Sequence, residues 1–581
     1  MKTKIQITCV NNGQTYSVEA GTTLEALSRS IGVTTLEEPK TGAQLPVLAA
    51  MVDHKLKELD YPVIFPRTVE FISYSHEEGR RCYIRSLCFV LQNAVRAVFP
   101  DKMFFADHAL PSGIYCELKD STPGEDGHHP NYFLTDDDVD RIKEKMQEII
   151  DRDLPFTKEK IRAVDAEKIF IANMQPFKAE LQRSLGRFTC SIYHLDGQSD
   201  TFHGPLVPST GVLTSFDLTA FSRGFVLQLP AINNFNKVLP MRRQSKIAAT
   251  LEEYSHWCDV MGVVGIGTLN KQILEGNAIR IINLSECLHE RKYAAIADQI
   301  YARRSEVKVV FIAGPSSSGK TSSSLRLANQ CRILGLNPKV IELDNYFLNR
   351  EDTPKDEDGE YDFESLYAMD LPFLNKQIND LLSGKEVEIP KFDFKAGKRT
   401  FTGNRMHLGD RDILIMEGIH ALNPEMVSEV DQSRVFRVYA SALTSLNIDE
   451  NNNISTSDNR LLRRIVRDNR VRGITPEDTL LRWHSVRRGE ARNIFPFQEN
   501  ADAIFNSALL FELPMLKYYA EPLLRRILPS SPAYGEAIRL LKFLDYIVAL
   551  QPSEIEAIPP TSIMREFIGG QTLQHGFYDQ I

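Results

Sequence analysis

The eight cysteines of this 581-residue chain, at 9, 82, 88, 116, 190, 258, 287 and 331, form no C-x-x-C pair. That scatter argues against a zinc knuckle and a disulfide framework; the thiols read as reduced and mostly buried, as in a cytoplasmic protein. Long hydrophobic runs are missing too, and no stretch approaches the ~18 apolar residues of a membrane span. The first residues, MKTKIQITCV, alternate polar and apolar, so a strand is expected there and not a signal peptide. Positive charge is in deficit. The formal net charge of −9 argues against a general nucleic-acid coat and leaves local basic patches open. With 43% hydrophobic and 25% charged residues the composition is that of a globular protein, and the length implies about three to four domains. A cytoplasmic protein without membrane contact is expected.

What is present centres on one loop. Val307 to Ala313 is a short apolar run that reads as a buried strand. Gly314-Pro315-Ser316-Ser317-Ser318-Gly319-Lys320-Thr321 follows and matches G-x-x-x-x-G-K-[ST] at every fixed position. Leu325, Leu327, Ala328 and Leu334 continue at roughly helical spacing, so the loop joins a strand to a helix. Gly314 and Gly319 let the backbone turn its N–H groups toward phosphate oxygens, and the helix N-terminus favours an anion. Lys320 then reaches the β- and γ-phosphates of a nucleoside triphosphate, and the Thr321 hydroxyl suits Mg²⁺. The bland alternative, a Gly/Ser-rich turn, does not explain the strand before and the helix after. ATP and Mg²⁺ are the expected cofactors.

Strands are expected at 339–343, 412–416, 435–439 and 503–505, with helices between them. This is an α/β, mostly parallel pattern, in which ligands bind at the carboxyl ends of strands. Asp344 sits at one such end, placed to take the proton of an attacking hydroxyl; a turn-capping aspartate is the alternative. Glu417 sits at another, suited to Mg²⁺. Arg460, Arg463, Arg464 and Arg467 share a helix face, either converging on a triphosphate or forming a solvated basic surface.

GPSSSGKT, LDNYF (343–347), YDF (361–363), IPKFDFKAGKR (389–399), IMEGI (415–419) and RRIVRDNRVRG (463–473) together resemble the uridine kinase/phosphoribulokinase family of P-loop kinases. The resemblance implies a parallel sheet with helices on both faces. It makes Asp344 the catalytic base and Asp362 the ligand of ribose hydroxyls. Phe347, Tyr361 and Phe392 would line the nucleoside pocket, and the helix bearing Arg463, Arg464 and Arg467 would be a lid over the phosphates. One departure stands out. Past Phe392-Asp393-Phe394, Gly397 occupies the place of the family's base-reading histidine. Glycine offers no side-chain hydrogen bond, so the substrate preference should relax or shift. The expected activity is ATP-dependent transfer to the 5′-hydroxyl of uridine, cytidine or a related nucleoside. Another sugar or sugar phosphate as acceptor, and a nucleotide-operated RNA- or ligand-sensing regulator, are the alternatives.

The upstream half reads as α+β. Ile5, Ile7 and Cys9 alternate with polar residues, Asn11-Asn12-Gly13 signals a hairpin, and Thr22 to Glu25 opens a short helix. Residues 1–65 resemble a TGS domain, a β-grasp module. Arg85 to Phe99 and Thr135 to Asp151 read as helices flanking a strand near Ser112 to Glu117. Residues 66–220 resemble the second domain of threonyl-tRNA synthetase, whose editing site uses an H-x-x-x-H pair and a C-x-G-P-H segment. Here Phe89 and Asn93 stand at the first, and Phe202-His203-Gly204-Pro205-Leu206 at the second. Apolar side chains neither ligate metals nor move protons, so the scaffold is expected without its editing chemistry. His203 reads as structural and His128-His129 as a loop. Residues 221–306 read as a connection with helices at 247–261 and 285–303; Gly262 to Gly267 reads as a turn, not a dinucleotide fingerprint. The kinase-like part spans 307–530 and a helical segment, with a helix over 536–550, spans 531–581. A small-molecule acceptor is the expected partner; RNA contact and self-association stay open.

Overall fold

The computed structural model describes residues 3–125, 129–242, 244–355, 359, 361–393, 395–444 and 446–573; His128 and Phe394 lie outside the described residues. Alternation along Lys4–Cys9 turns Ile5, Ile7 and Cys9 inward, and all three are buried. The turn at Gly13 returns the chain into Gln14–Glu19, antiparallel to it. On its other side Lys4–Cys9 pairs in parallel with Arg67–Ile72, which pairs with Ala49–Val52. Thr23 caps the helix Leu24–Ser30, whose Leu24 and Leu27 close the core over this sheet. The limit expected at residue 65 is therefore corrected. An inner strand needs hydrogen-bond partners on both edges, and Lys4–Cys9 finds its second beyond 65.

The next helix runs Glu77–Val98. It starts ahead of Arg85 because His76 caps it, Nδ1 accepting from Glu78 N. A capping box of Thr135 and Asp138 starts Asp136–Asp151. Both helices share a core with the antiparallel sheet Lys102–Leu110, Gly113–Asp120, Gly224–Gln228 and Asp217–Phe221. The boundary expected at 220 falls inside the hairpin of the last two strands and is corrected likewise. Phe89 and Phe202 lie with ring centroids 5.1 Å apart, and Asn93 Nδ2 donates to the Phe89 carbonyl. Of the four positions aligned with the editing residues, Phe89 and Phe202 pack ring against ring, Leu206 joins the same core, and Asn93 is bonded to its own helix. His203 Nε2 lies 3.1 Å from Asp449 Oδ2, tying this unit to the downstream half.

The downstream sheet is wholly parallel, in the order Asn337–Glu342, Asp412–Glu417, Val309–Ala313, Val435–Ser441, Ala503–Asn506. Its strands are apolar on both faces, as a sheet covered on both sides requires. Val310 and Ile312 enter a core with Leu327 and Ala328 of the helix Lys320–Ile333. Val309 and Phe311 enter another with Leu374 and Ile378 of the helix Leu371–Leu382. This is the α/β architecture expected, a parallel sheet with helices on both faces and the phosphate loop at the end of its central strand. Residues 221–306 are not a mere connection. Helices Ser245–Met261, Ile266–Leu274 and Ala278–Ala302 place Tyr254, Leu269, Ile282, Tyr293 and Ile300 in the first of these cores. Their apolar stripes must be buried, and the P-loop helix supplies the surface. Gly262 ends one helix and Gly265 caps the next, so that stretch is a turn. The helix expected over 536–550 is Tyr534–Leu544. Among the described residues no helix is long and apolar enough to cross a membrane.

Phe89 is fully buried against Phe156 and Phe202. Phe89→Ala should cost about 3–5 kcal/mol, seen as a lowered midpoint of the transition that unfolds the N-terminal half. An unchanged midpoint would contradict the packing described.

Candidate active site

Both motif glycines answer to the backbone. A Cβ at Gly314 would lie 1.9 Å from the Ala440 carbonyl oxygen, and Gly319 has φ +83° at the start of Lys320–Ile333. Four consecutive carbonyls of the loop are held by side chains. Lys320 Nζ donates to Pro315 O at 3.2 Å, Arg460 Nη1 to Ser316 O at 3.1 Å, Arg463 Nη1 to Ser317 O at 3.4 Å, and Ser507 Oγ to Ser318 O at 2.6 Å. A peptide unit is planar, with N–H opposite C=O. Fixing the Ser316 and Ser318 carbonyls therefore turns the N–H groups of Ser317 and Gly319 the other way, as a phosphate cradle needs. The hydroxyls of Ser317 and Ser318 are buried and make no hydrogen bond among the described residues, which adds donors there.

The arginine helix, Thr456–Arg467, divides its labour. Arg460 forks onto Glu490, whose Oε1 also accepts from Ser316 N at 3.0 Å. Arg463 is fully buried, paired with Glu512 and donating to Ser507 O at 2.9 Å. The expectation that Arg463 covers the phosphates is corrected. A buried, paired guanidinium on the carbonyl side of the loop braces it and does not close over it. Arg464 meets the expectation better: Nη1 donates to Ser316 Oγ at 2.8 Å. Arg464, Arg467 and Arg472 share one carboxylate, Asp468, at 3.2, 2.8 and 3.5 Å. Three guanidiniums on one carboxylate leave surplus positive charge, suited to a polyphosphate.

Asp344 follows the edge strand of the sheet. Burial pushes its carboxyl up to about 6 against the opposing pull of Lys320. Glu417 ends the neighbouring strand, in register with Glu342. Its Oε1 accepts from Thr321 Oγ1 at 2.6 Å, and burial raises it to about 7, again opposed by Lys320. Lys320, Thr321, Asp344 and Glu417 thus form one cluster at the carboxyl ends of adjacent strands. A hydroxyl, two buried carboxyl groups and a lysine fit a site for Mg²⁺ and phosphate.

Sequence reasoning missed Glu364, Glu490, Glu512 and Ser507. Burial raises Glu364 to about 7, with Glu490 adding to the rise and Arg464 and Lys320 opposing it. Its only sequence signal is its place directly after Tyr361-Asp362-Phe363. Asp362 Oδ1 accepts from Glu364 N at 3.1 Å, and Glu364 O accepts from Asn493 Nδ2 at 2.6 Å. The segment with Asp362 is thereby fixed to Pro476–Asn493, the helix that carries Glu490. Phe347 and Phe392 meet with centroids 5.9 Å apart, and Phe392 N donates to Asn345 Oδ1 beside Asp344. Tyr361 does not join that pair; it packs on Phe363 and beneath Lys355. Gly397 turns the hairpin of Val387–Asp393 and Lys398–Met406 at φ +67°, its N–H donating to Asp393 O at 2.7 Å. Glycine there meets a backbone need. The C-terminal segment closes the far side: Ile563 sits against Gly319, Glu566 accepts from Ser322 Oγ at 2.6 Å, and Arg470 donates to the Phe567 carbonyl at 2.9 Å.

Residues 309–510 match the Phosphoribulokinase / Uridine kinase family. The N-terminal region is similar to threonine–tRNA ligases. That of Desulforamulus reducens is 30% identical over 200 residues, covering 34% of this chain and 30% of the relative. That of Rubrobacter xylanophilus is 28% identical over 214 residues, covering 37% and 30%. The chain thus spans about 30% of the length of these curated relatives. Among solved structures, one described as a "Possible Uridine Kinase" from Bacillus stearothermophilus aligns at 22% identity and a TM-score of 0.22, covering 26% of this chain and 79% of that one.

Ionising Asp344 and Glu417 opposes folding, because each folded-state pKa lies above the ordinary value. The penalty is absent below about pH 4, grows as pH rises to about 7 and is complete above it. Asp344→Asn and Glu417→Gln should each raise the thermal midpoint at about pH 8 and leave it unchanged near pH 4. A gain of equal size at both pH values would show that relief of a buried charge is not the cause. Arg463→Ala strands Glu512 in the interior and should cost about 3–5 kcal/mol in denaturant unfolding.

Proposed function

We propose that this protein is an ATP-dependent phosphotransferase that passes the γ-phosphoryl group of ATP to the 5′-hydroxyl of a nucleoside, uridine, cytidine or a close relative. The observation that carries the reading is the cluster of Asp344, Lys320, Thr321 and Glu417 beside a braced phosphate loop. As the acceptor oxygen attacks the γ-phosphorus, its proton passes to the Asp344 carboxylate. The bond from the γ-phosphorus to the β–γ bridging oxygen breaks, and that oxygen leaves with ADP. Lys320, Arg464 and Arg467 offset the charge that spreads over the transferring group. Mg²⁺, when bound, supplies Lewis-acid neutralisation of phosphate oxygens, and Thr321 and Glu417 are the residues that would hold it. Asp362 would accept hydrogen bonds from sugar hydroxyls, and Phe347 with Phe392 offers an apolar wall.

Gly397 favours a second reading within the same chemistry. With no side chain at this turn to hydrogen-bond a base, another sugar or sugar phosphate competes as acceptor.

Purified protein with ATP, Mg²⁺ and a panel of nucleosides, sugars and sugar phosphates should release ADP only with a true acceptor. ADP release that no acceptor accelerates, or that RNA alone accelerates, would overturn the kinase reading. With the acceptor in hand, turnover should fall as pH drops through about 6, where Asp344 takes up its proton. Arg464→Lys should lower kcat, because lysine keeps the charge but loses the guanidinium's paired contacts to Ser316 Oγ and Asp468. An unchanged kcat would remove Arg464 from the phosphate-neutralising set.

A further inference from the structure

The N-terminal half and the kinase half together line a cleft of about 1920 Å³ whose wall includes none of Lys320, Asp344 and Glu417. Part of its charge is matched in ion pairs, some within a half and some between the halves. Arg81 pairs with Glu77, Glu78 and Glu536, Arg539 with Asp458 and Glu536, and Arg487 with Glu77. One corner is different. Lys55 and Lys57 of strand Lys55–Lys57, Lys158 of strand Thr157–Arg162, and Lys542 of helix Tyr534–Leu544 all line it.

Three of these ammonium groups rest on tyrosine rings: Lys55 over Tyr534 at 5.3 Å, Lys57 over Tyr61 at 4.4 Å and Lys158 over Tyr193 at 4.9 Å. Lys158 also pairs with Glu58 at 3.1 Å, while Lys55, Lys57 and Lys542 make no ion pair among the described residues. Asp60 and Glu78 are the other carboxylates near this corner, Glu78 being paired with Arg81, and Arg85 adds positive charge beside Lys542. Burial lowers the pKa of Lys57 and of Lys542. The neighbouring lysines lower both further: Lys542, Lys55 and Lys158 act on Lys57, and Lys158 and Lys55 act on Lys542. The fold thus gathers four like charges from three distant stretches of chain and crowds them together, with Lys57 half-buried and Lys55, Lys158 and Lys542 reachable from solvent. Such an arrangement is unfavourable on its own and becomes favourable once an anion sits among them.

We propose that this corner binds a small anion carrying several phosphate charges, at a site separate from the phosphate loop. A polymer is the poorer fit. Phosphate contacts to a strand must be spread along a track, whereas Lys55, Lys57, Lys158 and Lys542 act on one another in a single corner, and the cleft's Arg80, Arg85 and Arg187 are engaged by backbone carbonyls. The site has a physical connection to the candidate active site. Lys542 shares its helix with Arg539, which forks onto Asp458 at 2.7 and 2.8 Å in the first turn of Thr456–Arg467, the helix that braces the loop. The proposal does not depend on which acceptor the kinase half uses.

The test is calorimetric titration of inorganic tripolyphosphate into full-length Lys320→Ala protein, in which the loop lysine is gone, and into the same protein with Lys57→Gln and Lys542→Gln added. The first should keep one site, and the second should bind about tenfold more weakly or worse. The Lys57→Gln/Lys542→Gln pair in an otherwise unchanged chain should raise the thermal midpoint without anion, because repulsion is relieved, which also shows that the variant folds. Equal binding by both Lys320→Ala proteins overturns the proposal. So does a lack of tripolyphosphate binding to Lys320→Ala, or binding only of an RNA oligonucleotide.

Discussion

Four backbone carbonyls in a row, Pro315 to Ser318, are each held by a side chain, and the candidate active site depends on that. A loop that presents N–H groups to phosphate must hide its carbonyls, and hidden carbonyls need donors. Lys320 comes from the motif itself; Arg460, Arg463 and Ser507 come from far downstream. The two arginines are buried and would be untenable alone, so Glu490 and Glu512 neutralise them. One requirement of the loop thus fixes the positions of two helices and of the turn after the last strand.

That bracing places the candidate reactive groups. Glu490 ties Arg460 to the helix Pro476–Asn493, and the same helix holds the segment with Asp362 and Glu364 through Asn493. On the other side of the loop, Thr321 meets Glu417, and Asp344 lies at the end of the adjacent strand. Burying two carboxyl groups beside one lysine leaves a net negative charge that a bound divalent cation would offset. The C-terminal segment, packed on Gly319 and Ser322, belongs to the same construction.

The loop and the strands of the kinase half were legible in the sequence because each is a local pattern: an apolar run, a glycine pair at fixed spacing, a carboxylate at a strand end. The arginine helix was half legible. Helical spacing shows that Arg460, Arg463, Arg464 and Arg467 share a face, but spacing cannot reveal that Glu490 and Glu512 wait opposite two of them. Gly397 invited a reading as a lost side chain; a positive φ is invisible without the hairpin around it. The limits at 65 and 220 failed for a related reason. Cys9 pairs with Val69, and Gly113 with Gln228, across separations that no local signal spans. The helices of 245–302 looked like a connection because an amphipathic stripe does not say which core it covers.

In the proposed reaction Asp344 accepts the proton beside a loop that would bind ATP without its help. The most direct measurement compares acceptor-dependent turnover and ATP affinity in wild type and Asp344→Asn. Turnover should fall by about 10²–10⁴ with ATP affinity unchanged. Turnover within about tenfold of wild type, or a parallel collapse of ATP binding, would contradict it.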